Sequence, residues 1–114
     1  MMWADGLNPY HNAGVNDTAA TAELIPKDVL QCVWFYGAGE PLTLGRPSLA
    51  RFAQLGLPTT GSPWYNPICA EQWSRVCGEA RQRGWNCLGT IYTSWDNRWE
   101  ALEVAANTSW RAPR

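Results

Sequence analysis

The stretch VLQCVW at residues 29–34 is the clearest strand signal in the chain. It is apolar or small at nearly every position, as expected of a strand that a parallel sheet buries on both faces. Three other β-rich runs also end in tryptophan, at residues 1–3, 57–64 and 88–95. The tryptophans that end the four runs are 31, 30 and 31 residues apart: Trp3, Trp34, Trp64 and Trp95. This interval is the length of one strand–helix unit, so the chain is predicted to contain four such units.

Helix signals fill most of the segments between these runs. Ser48 is a candidate N-cap for a helix with apolar residues at helical spacing, and Gly56 ends it. The pair Asn66-Pro67 marks the start of a longer helix that stops at Gly84. The inward face of this longer helix is predicted to consist of Cys69, Trp73, Val76, Cys77 and Ala80.

The two ends of the chain are less regular. The first connection is predicted to be a long loop over the strand ends, with a short helix at residues 18–25. A last helix is expected to begin near Asn97, with Glu100 and Glu103 facing outward. Its inward stripe is predicted to be Trp99, Leu102, Ala106 and Trp110.

Strands that alternate with helices at this interval favour a parallel sheet, because each parallel neighbour needs a crossover of a dozen or more residues. Gly89 and Thr93 in the fourth run are small, as a crowded barrel interior requires. The predicted fold class is therefore α/β, a partial (β/α)₈ TIM barrel of about four units with parallel strands. We expect residues 1–114 to form a single domain.

Charge and composition exclude several classes of partner. The net charge is −1, and the nine basic residues are scattered singly apart from Arg81 and Arg83. No basic stripe for nucleic acid or an anionic membrane is present, and neither partner is expected. No apolar stretch approaches the roughly 20 residues that a transmembrane helix needs, and the first residues lack the features of a signal peptide. We expect a soluble chain, with no indication of its compartment.

The cysteines and the histidine do not form a metal-binding pattern. The four cysteines include no CxxC pair, and the single histidine, His11, is distant from all of them in sequence. No metal and no cofactor is therefore expected. Cys69 and Cys77 would lie about 12 Å apart along one helix, too far for a disulfide bond. Buried, reduced thiols are the expected state.

Eight tryptophans in 114 residues indicate an interface or a stacking surface. In barrels and open α/β sheets, ligands bind at the carboxyl ends of the strands, where the four repeat tryptophans are predicted to lie. Each is followed by polar or aromatic partners, a combination that suits the C–H faces and hydroxyls of a sugar. The alternative is simple core packing, which we expect for Trp73, Trp85, Trp99 and Trp110. The predicted substrate-binding residues are Trp3, Asp5, Trp34, Tyr36, Trp64, Tyr65, Trp95 and Asp96.

Asp5 and Asp96 are the acids best placed for catalysis. A glycosidase uses two carboxyl groups roughly 5 to 10 Å apart, and these two residues follow the first and last strands. A role in orienting the substrate by hydrogen bonds to ring hydroxyls is an equal alternative, and no catalytic residue is assigned. His11 either joins the rim of the pocket or is simply solvated.

Four short motifs resemble the last four units of barrels of the glycoside hydrolase family 20-like β-N-acetylhexosaminidases. They are MWADGL at residues 2–7, LIPKDV at 24–29, GSPW at 61–64 and GTIYTSW at 89–95. The resemblance implies cleavage of terminal N-acetylhexosamine with retention, the substrate's own acetamide acting as nucleophile. It also implies that the four repeat tryptophans line the pocket, and that Tyr36 or Tyr65 binds the acetamide.

The sequence departs from that family in two places. The family's catalytic Asp-Glu pair follows the fourth strand of the barrel, and no such dipeptide occurs in this chain. The last strand run is followed by Asp96 rather than by the Trp-x-Glu pattern of the family. We therefore expect units 5–8 of a larger glycoside hydrolase, a substrate-pocket half that is inactive alone, since a full barrel takes about 250 residues.

Two other classes of function stay open. One is a non-catalytic carbohydrate-binding half-barrel, and the other is an assembly fragment without a ligand. The first and last strands would be free edges in every case. The expected partners are a carbohydrate and either a missing N-terminal half-barrel or a second copy bound through these edges.

Overall fold

Four short segments of the chain pair as strands, and every pairing is parallel. The strands are β1 (Met2–Trp3), β2 (Gln31–Trp34), β3 (Thr59–Ser62) and β4 (Cys87–Thr90). They lie in sequence order, β1-β2-β3-β4, in a computed structural model that describes residues 1–110. The predicted α/β architecture with a parallel sheet is confirmed.

Helices follow each strand. They are α1 (Asn12–Asn16), a 3₁₀ segment (Ala19–Leu24), a π-helical turn (Pro41–Gly45) that runs into α2 (Arg46–Gln54), α3 (Pro67–Gln82), a 3₁₀ turn (Trp95–Asn97) and α4 (Leu102–Ser109). No helix within the described residues is long and apolar enough to cross a bilayer.

Two of the four strands end earlier than predicted. Trp3 and Trp34 are the last residues of β1 and β2, but β3 stops at Ser62. Pro63 has no N–H group to continue the ladder, and this places Trp64 in the following loop. In β4, the pairing with β3 shifts in register and Gly89 has φ +119°, so the strand ends at Thr90 and Trp95 lies in a loop.

Helix α3 matches the prediction closely. Asn66 caps it, its side-chain oxygen accepting hydrogen bonds from the backbone N–H groups of Ile68 and Cys69 at 3.0 and 3.3 Å. Gly84 has φ +78°, a left-handed conformation that ends the helix without strain. All five residues of the predicted inward face are buried: Cys69, Trp73, Val76, Cys77 and Ala80.

Alternation along the strands separates two faces of the sheet. A Cβ atom at Gly61 would lie 2.8 Å from Cδ2 of Trp73 and 2.9 Å from Sγ of Cys77, so Gly61 faces α3. Val33 is its register partner and belongs to the same buried core. The next pair along the register, Trp34 and Ser62, therefore points to the opposite face, away from the helices.

The expected N-cap at Ser48 is wrong. Ser48 lies inside α2, because the π-helical turn extends the helix backward to Pro41. Its hydroxyl donates to the Leu44 carbonyl at 2.6 Å and accepts a hydrogen bond from Nδ2 of buried Asn8 at 2.8 Å. The hydrogen bonds of Ser48 thus connect the loop after β1 with α2.

The predicted inward stripe of the last helix is also wrong. Trp99, Leu102 and Trp110 are 52%, 42% and 90% exposed. The buried residues of this region are Ala101 and Ala105, which pack against Ala70 of α3. Small side chains let the two helices approach closely, and the larger residues stay outside. Glu100 and Glu103 are exposed, as predicted.

Replacing Gly61 by alanine should destabilise the protein by about 1 to 3 kcal/mol, because the added methyl group overlaps buried atoms of α3. Chemical denaturation measures the free energy of unfolding. The control is Gly6→Ala, since nothing lies within 4 Å of the Cβ position there. Equal stability of the two variants would contradict the close packing of α3 on β3.

Candidate functional site

A cleft of about 410 Å³ lies on the face of the sheet opposite the helices, where the strands end. We call it the aromatic cleft, and its lining residues are Trp3, Asp5, Trp34, Tyr36, Trp64 and Trp95. The structure therefore brings together six of the eight residues predicted to bind substrate. Trp34, the last residue of β2, and Tyr36, two residues past its end, lie on the same side and stack on each other.

The aromatic rings of the cleft pack in two groups. Trp34 stacks on Tyr36 with ring centroids 4.9 Å apart. The ring of Tyr36 meets Trp64 edge-to-face at 5.3 Å. On the other side, Trp3 lies 5.7 Å from Trp95. Offset and edge-to-face pairs of this kind are favourable geometries for aromatic rings, so the wall is well packed.

Hydrogen bonds fix the orientation of three indole rings. The N–H of Trp95 donates to the hydroxyl of Tyr36 at 2.8 Å. That of Trp64 donates to the backbone carbonyl of Trp95 at 2.9 Å. The N–H of Trp34 donates to Oδ1 of Asp5 at 3.3 Å. These bonds connect the segments at the ends of β1 and β2 with the loops after β3 and β4.

Asp5 supplies the only carboxylate among the residues that line the cleft. Its Oδ2 accepts a hydrogen bond from Nδ2 of Asn12 at 2.8 Å, and Oδ1 accepts the one from Trp34. A carboxylate has about four lone-pair sites, so two of them can still accept hydrogen bonds from a ligand.

Burial raises the pKa of Tyr36, and this effect outweighs the hydrogen bond from Trp95, which lowers it. The phenol therefore stays neutral over the ordinary pH range. It accepts the indole N–H of Trp95.

The two remaining predicted residues lie outside the cleft lining. Tyr65 packs edge-to-face on Trp64 at 4.7 Å, and the guanidinium of Arg98 lies 4.1 Å from the centre of its ring. Asp96 is exposed and has φ +56° in the loop after β4. Asp5 and Asp96 thus do not face each other across the cleft.

The loop after β1 adds Asn12, which was not predicted, and His11, for which the rim was one of two expected positions. His11 lies with its ring 4.0 Å from Trp34, which places it on the rim rather than in open solvent. Asn12 holds Asp5, as described above. The predicted loop over the strand ends gives the general position of both residues. The contacts with Trp34 and Asp5 were not predicted.

The cysteines lie in the core, away from the cleft. All four are free and buried, as predicted. Cys69 donates to the Phe35 carbonyl at 3.1 Å, and burial raises its pKa to about 12. Among residues 1–110, no three His, Cys, Asp or Glu side chains are grouped closely enough to hold a metal ion.

A larger groove of about 1030 Å³ runs between α3, β4 and the end of α4. None of the predicted site residues lines it, and of the aromatic residues only Trp110 does. Its charged side chains are partly paired with each other, since Arg75 bonds Glu79 at 3.0 Å. The aromatic cleft is therefore the better candidate for a ligand site.

No protein-family model matches the chain, and no curated protein is similar to it in sequence.

Replacing Tyr36 by phenylalanine should release Trp95 from its anchor. The change removes the acceptor of the Trp95 indole N–H and should lower the free energy of unfolding by about 1 kcal/mol. Acrylamide should then quench tryptophan emission more strongly than in the parent protein. Tyr10→Phe is the control, because Tyr10 is exposed and does not line the cleft. Unchanged quenching in Tyr36→Phe would contradict the anchoring bond.

Proposed function

We propose that this chain is the substrate-pocket half of a glycoside hydrolase barrel that acts on terminal N-acetylhexosamine or a related sugar. The observation that carries this proposal is the aromatic cleft, in which four tryptophans, one tyrosine and one carboxylate meet at the carboxyl ends of parallel strands. Sugar rings stack their axial C–H faces on such aromatic surfaces, and hydroxyls bond to carboxylates.

The strand order supports a partial (β/α)₈ barrel. Doubly wound sheets reverse their strand order at a switch point, and ligands bind there. Here the order β1-β2-β3-β4 has no reversal, and the core helices α2 and α3 cover one face. The opposite face carries the cleft at the strand ends, which is where barrel enzymes bind their substrates.

The residues in the cleft favour binding over catalysis. Retaining and inverting glycosidases ordinarily need two carboxyl groups at the scissile bond, and the substrate-assisted family that the sequence resembles uses an Asp-Glu pair. Asp5 lines the cleft without a second acid, and both of its oxygens already accept hydrogen bonds. We therefore assign Asp5 to holding substrate hydroxyls, and we expect the chain alone not to cleave glycosides.

A non-catalytic carbohydrate-binding half-barrel is the second candidate, and the same lone carboxylate favours it. The two candidates differ in what the protein does when a complementary half-barrel is present. The pocket half of an enzyme gains hydrolysis of a chromogenic N-acetylglucosaminide when co-expressed with the first four units of a hexosaminidase barrel. A binding module gains none.

Titration with N-acetylglucosamine should perturb tryptophan emission, because the sugar would cover indole faces in the cleft. Trp95→Ala should weaken binding about tenfold, since one stacking wall is lost. Trp95 lies in a loop and is 47% exposed, so its removal should leave the fold intact. The matched control is Trp110→Ala, 90% exposed and outside the cleft. Equal losses in the two variants would count against a sugar site in the cleft.

The proposal extends to the edges of the sheet. In the part of the chain that the structure describes, β1 and β4 each have one strand neighbour. Leu88 on β4 is 63% exposed, which is unfavourable for an edge strand in water. We propose that these edges pair with a complementary half-barrel or with a second copy of the chain.

Leu88→Lys should reduce self-association in sedimentation velocity experiments, because a charged edge strand resists pairing. Leu24→Lys is the control. Leu24 is 82% exposed, but it lies in the 3₁₀ segment and not on a strand of the sheet. If both variants sediment like the parent protein, the β4 edge does not mediate association.

A further inference from the structure

The polar groups of the aromatic cleft are largely used within the protein. Three of its four indole N–H groups donate to protein acceptors: those of Trp34, Trp64 and Trp95. The Tyr36 hydroxyl and both oxygens of Asp5 each accept one hydrogen bond. The groups that face a ligand are therefore mainly aromatic rings, with one partly satisfied carboxylate among them.

This combination of groups suits a sugar that carries a cationic group better than a fully neutral one. Each hydroxyl of a neutral sugar that enters the cleft must find a donor or acceptor, and few are left. An ammonium group is attracted by the faces of tryptophan and tyrosine rings, and this attraction needs no directed hydrogen bond. One carboxylate then supplies the counter-charge.

The charges around the cleft are consistent with binding of an ammonium group. Among residues 1–110, Asp5 is the only charged residue in the lining, and its side chain is partly buried. Arg98 lies 5.9 Å from the centre of the Trp64 ring, but it is paired with Glu100 at 2.6 Å. The other titratable groups at the rim are His11 and the neutral phenol of Tyr36.

We propose that the aromatic cleft recognises an organic ammonium group through its indole faces and the Asp5 carboxylate. An amino sugar with a free, protonated amine is the source that fits the rest of the cleft. This choice of source rests on the proposed carbohydrate function, whereas recognition of the ammonium group itself does not.

The test is calorimetric titration of the full chain with glucosamine, N-acetylglucosamine, glucose and tetramethylammonium. At a pH below the pKa of its amine, glucosamine should bind about tenfold more tightly than both neutral sugars. Raising the pH above that pKa should remove the preference. Tetramethylammonium cannot lose its charge, and its affinity should not follow the amine titration.

Asp5→Asn should abolish most of the preference for glucosamine over glucose. The asparagine keeps a side-chain oxygen for the Trp34 N–H, so the ring wall should stay in place. Asp28→Asn is the matched control, because Asp28 is exposed and does not line the cleft. Should Asp5→Asn fail to fold, the ligand comparison on the parent protein still decides the question.

The outcomes separate the two proposals. Equal affinity for all three sugars, or binding of N-acetylglucosamine alone, overturns the ammonium inference and leaves the carbohydrate function standing. Binding of tetramethylammonium without any sugar supports the ammonium inference and overturns the carbohydrate function. If none of the four compounds binds, both proposals fall.

Discussion

The position of one buried tryptophan ring determines how α3 packs on the sheet. Trp73 is 0% exposed, and its ring lies against two glycines, one in the helical segment before α2 and one in β3. A Cβ atom at Gly45 would lie 2.7 Å from Cη2 of its ring, and one at Gly61 would lie closer still, against Cε3. Its N–H donates to the Phe35 carbonyl at 3.0 Å, just past the end of β2. Because a full-sized aromatic ring fits only where the neighbours lack side chains, α3 can settle on the sheet in one position.

The position of α3 on the sheet also determines on which face the aromatic cleft lies. Phe35 is buried toward the helices, and its carbonyl accepts from both Trp73 and Cys69. Since side chains alternate, fixing Phe35 on the helix side sends its neighbours Trp34 and Tyr36 to the other face. The packing core and the candidate binding surface are therefore the two sides of β2 and of the two residues that follow it. A change in the core that rotates β2 would misplace the aromatic wall, even with every cleft residue intact.

The parts of the fold that depend on local patterns can be predicted from the sequence. The strand–helix interval, the Asn66 cap and the inward face of α3 follow from periodicity and short-range chemistry, and the structure agrees with them. Ser48 was predicted wrongly because the helical segment begins earlier, at Pro41, and its partner Asn8 is 40 residues away, which a cap pattern cannot reveal. In α4 the large residues suggested the buried face, whereas alanines form it, since close helix contact depends on small side chains. The repeat interval predicted the residues that line the cleft, but not Asn12, whose hydrogen bond to Asp5 seven residues away depends on the conformation of the loop after β1.

The internal hydrogen bonds of the cleft decide how it can bind. A ring whose N–H is tied to the protein has lost its rotational freedom before any ligand arrives, so binding costs less conformational entropy. The same bond removes a donor that the ligand could have used, so the site gains rigidity and loses directional contacts. Trp3, whose ring contacts Trp95, is 39% exposed at the open edge of the sheet. A strand paired against β1 would complete this wall, and for this reason we expect ligand affinity and edge pairing to reinforce each other.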